Sequence, residues 1–432
     1  MLHAAAPRLE AEELIRAAAP LALIAAVPVT AAAQAAPAID PTLDQRAHQL
    51  IAVLAGTADY DTYFAPAFRT AVPRAKFDAL AAQLRASLGA PVGIADIVPE
   101  GRWAAQLTIA YHRGTATMRL AVDLMPPHAV SGLLVTGTQV ADDSATRIAA
   151  EVAALPGHAA LALYPLDGTP PPIDVAGARP MPLGSAFKLW VLAELARQVA
   201  AGTHRWDEVV ATGVPSLPSG ILQGWPRGTP MTVQGLATLM IAASDNTATD
   251  TLIALLGRDA VDATAARYGA TGPVLTTHEA FAIKADAALT ARWAAADAAA
   301  RRAMLRDPAL ALATRALDAM MFSGAPLATD NVEWFAAPRD IARLLGDLRD
   351  AGPVVRAILA VNPGVDPGNR ARLAYVGFKG GSEPGVAALA YLVQAKDGRW
   401  YALVAGWHRP DAAVDEARLA ALAMRALTLV GR

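Results

Sequence analysis

The chain has 432 residues, 54% of them hydrophobic and 18% charged, with a net charge of −2. That is enough chain for two or three domains with a sizeable buried core, and it excludes a disordered or polyelectrolyte protein. No basic block or aromatic-plus-Arg stripe gives nucleic acid an electrostatic footprint. With no cysteine, disulfide frameworks, zinc–thiolate sites and thiol catalysis are excluded as well. Lysine is scarce against a background rich in Ala and Arg, so each lysine bears on the argument.

In chain order, "APLALIAAVPVTAAAQAAPAID" pairs a short apolar run with Ala33-Gln34-Ala35, a small-x-small cleavage pattern before Ala36. Residues 1–39 therefore read as a leader, with export to the periplasm expected. The open alternative is a disordered Ala-rich segment, since Glu10, Glu12 and Glu13 spoil a positive flank. A stable membrane span is not expected, because Pro20 and Pro28 interrupt a run already near the minimum length.

Residues 40–141 read as a small α+β domain. "PTLDQRAHQLIAVLAG" and "RAKFDALAAQLRASLGA" place apolar residues at helical spacing, the second ending at Gly89. "VGIADIVPEG", "WAAQLTIAYHRG", "TATMRLAVDLM" and "HAVSGLLVTG" follow as β-like runs with turn signals between them. Helices followed by an antiparallel sheet suit a domain of about a hundred residues. Tyr60, Asp61, Tyr63 and Phe64 either line a pocket or pack the core, and the core reading is favoured. "VTGTQVADDSAT" reads as a polar linker.

The order restarts near Ile148. "HAALALYPLDG" and "PPIDVAGARPM" predict two strands, and a long helical region runs from Ser185 to about Asp350. "RLAYVGFKGGSEPGV", "AALAYLVQAKDG" and "RWYALVAGWH" predict three strands, the last two joined by an Asp-Gly turn. An amphipathic C-terminal helix closes the chain. Strands at both ends with helices between imply one sheet assembled from the two termini of residues 148–432.

Three short motifs fall in this second part. Ser185-Ala186-Phe187-Lys188 opens a stretch, "SAFKLWVLAEL", that is apolar nearly all round and so predicts a buried helix. An unpaired ammonium there is costly. Burial favours the neutral amine, which can take a proton from a hydroxyl three residues back on the same helix face. Ser244-Asp245-Asn246 follows some sixty residues on; alone it reads as helix-start chemistry, all three being N-cap residues. Lys379-Gly380-Gly381-Ser382 ends a strand; alone it reads as an edge lysine before a glycine turn.

Together, a Ser-x-x-Lys, a Ser-Asp-Asn and a late Lys-x-Gly form the signature of penicillin-recognising serine enzymes. Residues 148–432 resemble class A β-lactamases and the related penicillin-binding proteins. The resemblance implies a β-lactamase/transpeptidase-like α/β domain with a helical subdomain. It implies Ser185 as the acylated nucleophile, Lys188 as its base, and Ser244 as proton carrier to the leaving nitrogen. Lys379 would face Ser244 and a substrate carboxylate, and Asn246 would hold a side-chain amide. The backbone N–H groups of Ser185 and Ser382 would form an oxyanion hole, with Gly380 and Gly381 allowing close approach. Gly380 stands where the family has a hydroxyl, so Ser382 is expected to replace it. At the distance of the family's deacylating glutamate, "LTTHEAFAIK" offers Glu279 without the usual context; it is either that base or a surface or helix-capping carboxylate.

The two-part plan further resembles serine hydrolases carrying an N-terminal ketosteroid-isomerase-like (NTF2-like) α+β cone, the architecture of the clavulanate-cluster hydrolase and related mycobacterial lipoproteins. In that comparison the cone covers or shapes the hydrolase cleft. The expected substrate is a β-lactam or a peptidoglycan-like small molecule. Two alternatives stay open: a D-Ala-D-Ala peptidase or small esterase with the same nucleophile, and a non-catalytic cell-wall or β-lactam-binding module. No cofactor is implied. His158, His204, His278 and His408 lack metal-binding spacing, and neither a phosphate-binding Gly-rich loop nor a Gly-x-Ser-x-Gly elbow occurs. "EWFAAPRDIARLL" reads as a helix start at Pro338, with Glu333 and Trp334 structural.

Overall fold

A computed structural model describes residues 39–141, 143–318 and 324–431; the expected leader lies almost wholly outside them. The N-terminal part is a helical layer on a sheet. Helix α1 (Pro41–Ala55) starts because the Asp40 carboxylate takes the Thr42 N–H and Pro41 fills the first turn, and it stops at Gly56, which is left-handed. It is followed by α2 (Tyr60–Tyr63), α3 (Pro66–Ala71) and α4 (Arg74–Leu88), the last ending before Gly89 as its pattern predicts. Strands β1 (Pro91–Gly101), β2 (Ala104–Tyr111), β3 (Gly114–Val122) and β4 (Val130–Val140) form an antiparallel meander.

Leu43, Ala47, Leu50 and Leu54 line one face of α1 and pack with alternate residues of β2 and β3 such as Leu107, Ile109, Met118 and Leu120. Tyr60, Tyr63 and Phe64 belong to this core and are buried, so they line no open pocket. The stretch expected as a linker begins inside a strand and ends in a helix: β4 runs through Val140, and Ser144 caps α5 (Ala145–Ala153) by accepting the Arg147 N–H. Polar composition concealed an edge strand with one face toward solvent.

The second part is built on one five-stranded antiparallel sheet. Its strands are β5 (His158–Pro165), β6 (Ile173–Val175), then after the helices β11 (Leu373–Glu383), β12 (Val386–Ala395) and β13 (Trp400–His408), in the order β11-β12-β13-β5-β6. The two ends of residues 148–432 thus meet in one sheet, as their patterns predict. Between them lie β7 (Met181–Pro182), α6 (Lys188–Ala200), the β8 (Val209–Ala211) and β9 (Pro230–Thr232) pair, α7 (Val233–Ala242), α8 (Asn246–Leu256), α9 (Arg258–Arg267), α10 (Thr277–Lys284), α11 (Ala287–Ala295) and α12 (Ala298–Arg306). Strand β10 (Phe335–Ala336), α13 (Pro338–Asp350), α14 (Pro353–Ala360) and α15 (Pro367–Arg372) lead into β11, and α16 (Glu416–Leu427) ends the chain. Pro338 occupies the first turn of α13, as expected.

Both faces of this sheet are covered. In β12, Ala388, Ala390 and Leu392 join the core shared with α6 and α13, while Ala387, Tyr391 and Val393 join the one under α5 and α16. That explains why β12 and β13 read as unbroken apolar runs instead of alternating ones. The helical region expected from Ser185 to Asp350 is interrupted, because the β8–β9 pair and the loops around it carry turn residues that a helix cannot hold.

Candidate active site

Ser185 sits in a tight 3₁₀ turn, Gly184–Phe187, that runs directly into α6. Gly184 has φ +46, a conformation that favours glycine. The turn is pinned from both sides: Ala186 N–H donates to Leu183 O within it, and Trp334 stacks on Phe187 at 3.9 Å between ring centroids. Lys188, one helical turn on, is fully buried as the apolar character of its helix predicts.

The Lys188 amine does not lie idle in that core. Its Nζ donates to Ser244 O at 2.7 Å and Asn246 Oδ1 at 2.7 Å, and stands 3.1 Å from Ser244 Oγ. Burial, and then the nearby Lys379, hold its pKa well below the ordinary lysine value; Asp250 and Asp245 offset only part of that. All three oxygens accept from Nζ, so the amine is held by three hydrogen bonds in the core.

Ser244 is held in an uncommon backbone conformation, φ +53. Asp245 beside it is a helix cap, as the motif alone suggests: its carboxylate takes Ala248 N–H at 2.8 Å to open α8. The same side chain also takes the N–H groups of Ile221 and Leu222, at 2.7 and 2.9 Å. It therefore ties the 219–222 loop to the rim of the cleft. Asn246 donates from Nδ2 to Leu217 O at 2.9 Å while its Oδ1 receives Lys188. Lys379 is buried on β11, with Nζ 3.0 Å from Ser244 Oγ, and burial lowers its pKa to about 7.

Strand β11 approaches the Ser185 turn at backbone distance. A methyl group placed on Gly381 would lie 2.4 Å from Ser185 N and 2.3 Å from Leu183 O. One placed on Gly184 would lie 3.2 Å from Ser382 N. Ser185 N and Ser382 N thus lie on facing segments in close backbone approach, where the resemblance expects an oxyanion hole. A cleft of about 310 Å³ opens over it, lined among others by Ser185, Ser219, Ser244, Asn246, Phe281 and Ser382.

Glu279 is placed elsewhere. It is residue N3 of α10 and closes a capping box with Thr276: Thr276 Oγ1 accepts the Glu279 N–H, and Glu279 Oε2 accepts the Thr276 N–H at 2.9 Å. Its Oε1 pairs with Arg258 at 2.6 Å, and the side chain lines a different cavity with Arg258 and His278. Of the two readings that the sequence leaves open, this geometry is the helix-capping one. The Thr-x-x-Glu spacing of "TTHE" carries that signal.

Glu333, which the sequence reading takes as structural, and Glu383, which it does not single out, border the same cleft and share the buried Lys284. Glu333 accepts the Gly184 N–H at 3.2 Å and pairs with the buried Lys284 at 2.9 Å; Lys284 also bonds Glu383, the residue after Ser382. Their one sequence signal is lysine scarcity: Lys188, Lys284 and Lys379, from a chain with few lysines, all lie buried around one cleft. Among the described residues no group of His, Cys, Asp or Glu has the geometry of a metal site, and no helix is long and apolar enough to cross a membrane.

The second part thus builds one sheet from its two ends, with Ser185, Ser244 and the end of β11 lining one cleft. The profile of the Beta-lactamase enzyme family matches residues 143–427, well over half of the chain, and the protein belongs to that family. Solved structures with a similar course include a β-lactamase from Sphaerobacter thermophilus DSM 20745, at 20% identity and TM-score 0.47, covering 67% of this chain and 97% of that one. PBP-A is similar at 18% identity and TM-score 0.46, covering 66% and 93%. A β-lactamase from Chitinophaga pinensis DSM 2588 has 18% identity and TM-score 0.46, covering 66% and 96%. No curated protein matches the sequence.

Proposed function

We propose that the protein is a serine hydrolase that opens β-lactams through an acyl-enzyme at Ser185. The observation that carries this reading is the Ser244 hydroxyl, shared by two buried lysines of lowered pKa beside the Ser185 turn. In the acylation step, the substrate carbonyl oxygen occupies the space between Ser185 N and Ser382 N. Ser185 Oγ bonds to the carbonyl carbon and its proton passes to the neutral Lys188 amine. As the lactam C–N bond breaks, the leaving nitrogen takes the Ser244 hydroxyl proton, and Lys188 returns its own to Ser244. Lys379 keeps a positive charge for the substrate carboxylate, and Asn246 and Ser382 border the groups that flank the reacting bond.

Release of the acyl group then uses the same relay in reverse, with water in place of the leaving nitrogen and Lys188 as base. Because the Glu279 carboxylate is engaged in its cap and by Arg258, the acyl-enzyme should be long-lived. That observation favours a second reading on the same nucleophile, a slow D-Ala-D-Ala peptidase or small esterase. The helices-then-meander order of residues 40–141 supports reading that part as the NTF2-like cone, and the Ala33-Gln34-Ala35 pattern supports export.

The test is a chromogenic cephalosporin followed by ring opening and by intact protein mass. An adduct that forms and clears slowly, and is lost in Ser185→Ala, supports the β-lactamase reading. A stable adduct without turnover favours the peptidase reading. No adduct with the cephalosporin or with an activated ester overturns both.

A further inference from the structure

The Lys284, Glu333 and Glu383 cluster stands outside the proton relay yet touches both walls of the oxyanion hole. Lys284 comes from the end of α10, Glu333 from the segment before β10, and Glu383 from the last position of β11. Side-chain exposure is 2% for Lys284 and Glu333 and 16% for Glu383. Charges so placed are costly unless paired and hydrogen-bonded.

Here they are paired. Glu333 Oε1 takes the Lys284 ammonium and its Oε2 takes the Gly184 N–H, next to Ser185. Lys284 also donates to Glu383 Oε1, next to Ser382. Burial, and then the Glu333 charge, push the Glu383 carboxyl up to about 9, so it carries a proton at neutral pH and shares it with Glu333 in a side-chain hydrogen bond. Glu333 stays ionised: burial acts against its charge but is outweighed by Lys284 and by its hydrogen bonds. One ammonium, one carboxylate and one neutral carboxyl leave the cluster without net charge.

We infer that Lys284, gripped by Glu333 and Glu383, is a positioning clamp that sets the separation of the two oxyanion-hole donors, Ser185 N and Ser382 N. Each carboxyl holds a different wall: Glu333 the nucleophile turn, through Gly184 N, and Glu383 the end of β11. Glycine at 184 and at 381 lets the walls close to backbone contact but supplies no side chain to hold them there. The clamp provides that hold. The inference rests on the acyl-enzyme reading above, since a donor separation matters only where a carbonyl oxygen gains charge.

The experiment measures acylation of the full chain by a chromogenic cephalosporin in single-turnover mode, separating the acylation rate constant from the concentration at half-saturation. Glu383→Ala removes the side-chain hold on the end of β11, which stays paired with β12, and keeps the Lys284–Glu333 pair; Glu383→Gln keeps a neutral hydrogen-bonding side chain of similar size. Because removing one oxyanion donor costs about 10²–10³-fold, displacing one should lower the Glu383→Ala rate constant by roughly 10–100-fold, with half-saturation changed less than about 3-fold. Glu383→Gln should recover most of that loss. Lys284→Met should show the same rate defect; if it fails to fold, the Glu383 pair of variants still decides.

An acylation rate constant in Glu383→Ala within about 3-fold of wild type overturns the clamp while leaving the acyl-enzyme reading intact. So does a Gln variant as slow as the Ala variant. Wild-type protein that forms no Ser185 adduct overturns the acyl-enzyme reading first and the clamp with it.

Discussion

Lys188 on α6 and Lys379 on β11 converge on one oxygen: their Nζ atoms stand 3.1 and 3.0 Å from Ser244 Oγ. Two ammonium groups cannot both stay charged at that range in a buried site without a large cost. The outcome is a division of labour, with Lys188 the stronger candidate for the neutral partner because Lys379 is itself a cause of its lowered pKa. In the proposed relay the neutral lysine is the base and the charged one the anchor.

That division predicts how activity depends on pH. In the free enzyme Lys379 loses its charge near pH 7, by burial. The specificity constant, kcat/KM, reports the free enzyme, so for substrates bearing a carboxylate it should fall above about pH 7. Hydrolysis of a neutral ester such as p-nitrophenyl acetate should lack this alkaline limb. Parallel pH profiles for the two substrates check it; a common decline for both would contradict the assignment of Lys379 as the anion anchor.

Stability should carry the same signature, with a sign that follows from proton counting. Between about pH 7 and the ordinary lysine value of 10.5, the unfolded chain holds a proton on Lys379 that the folded chain lacks, so this residue makes stability rise with pH. Glu383 acts the other way: between 4.5 and about 9 the folded chain holds the extra proton, and stability falls as pH rises. Each slope is at most about 1.4 kcal/mol per pH unit. Urea unfolding across pH should show Lys379→Met losing the upward contribution and Glu383→Gln losing the downward one. Differences of the same sign for the two variants would refute the assigned protonation states.

How much of this was legible in the sequence follows from the range of each interaction. Helix starts at Asp40 and Asp245, and the meeting of the two ends of residues 148–432 in one sheet, are written in local residues or in periodicity. So are the burial of Lys188, from its apolar helix, and the gathering of three short motifs by the family's signature. The helix that Ser144 caps lies in the stretch read as a linker and was missed. The Lys284 cluster was not legible, because its members are 49 and 99 residues apart in sequence and only the fold brings them together. Glu333 and Trp334 read as structural; Trp334 does pack on Phe187, but Glu333 reaches the nucleophile turn through a backbone N–H that no motif marks. With Glu279 the distance along the chain pointed one way and the local Thr-x-x-Glu spacing the other, and the local hydrogen bonds decided where the side chain lies.

A cap and a deacylating base respond differently to truncation. Glu279→Ala removes both the capping-box acceptor and the partner of Arg258, leaving a half-buried guanidinium with one hydrogen bond, to Val274 O. The expected cost is about 1–3 kcal/mol of stability, read by thermal or urea unfolding. The rate at which the acyl-enzyme clears, followed by intact mass, should stay within about 3-fold of wild type. If instead the adduct accumulates in Glu279→Ala without loss of stability, the carboxylate reaches the acyl group and the capping assignment is wrong.

The two neighbouring glycines of β11 make opposite predictions, although they are adjacent in one strand. A methyl group at Gly381 would meet only backbone: Leu183 O at 2.3 Å, Ser185 N at 2.4 Å and Ala186 N at 2.7 Å. These atoms belong to the nucleophile turn and cannot give without moving it, so overpacking here should displace Ser382 from Ser185. At Gly380 the nearest atom is the far edge of the Phe378 ring, at 2.8 Å, a side-chain end that lines the cleft and not backbone of the Ser185 turn. Gly381→Ala should therefore lower the acylation rate constant by about 10²-fold or more, the scale of losing one oxyanion donor. Gly380→Ala should stay within about 10-fold. Single-turnover acylation of the two variants decides it: equal losses would mean that β11 does not press against the Ser185 turn as its glycines imply, and that the oxyanion donors are set by some other contact.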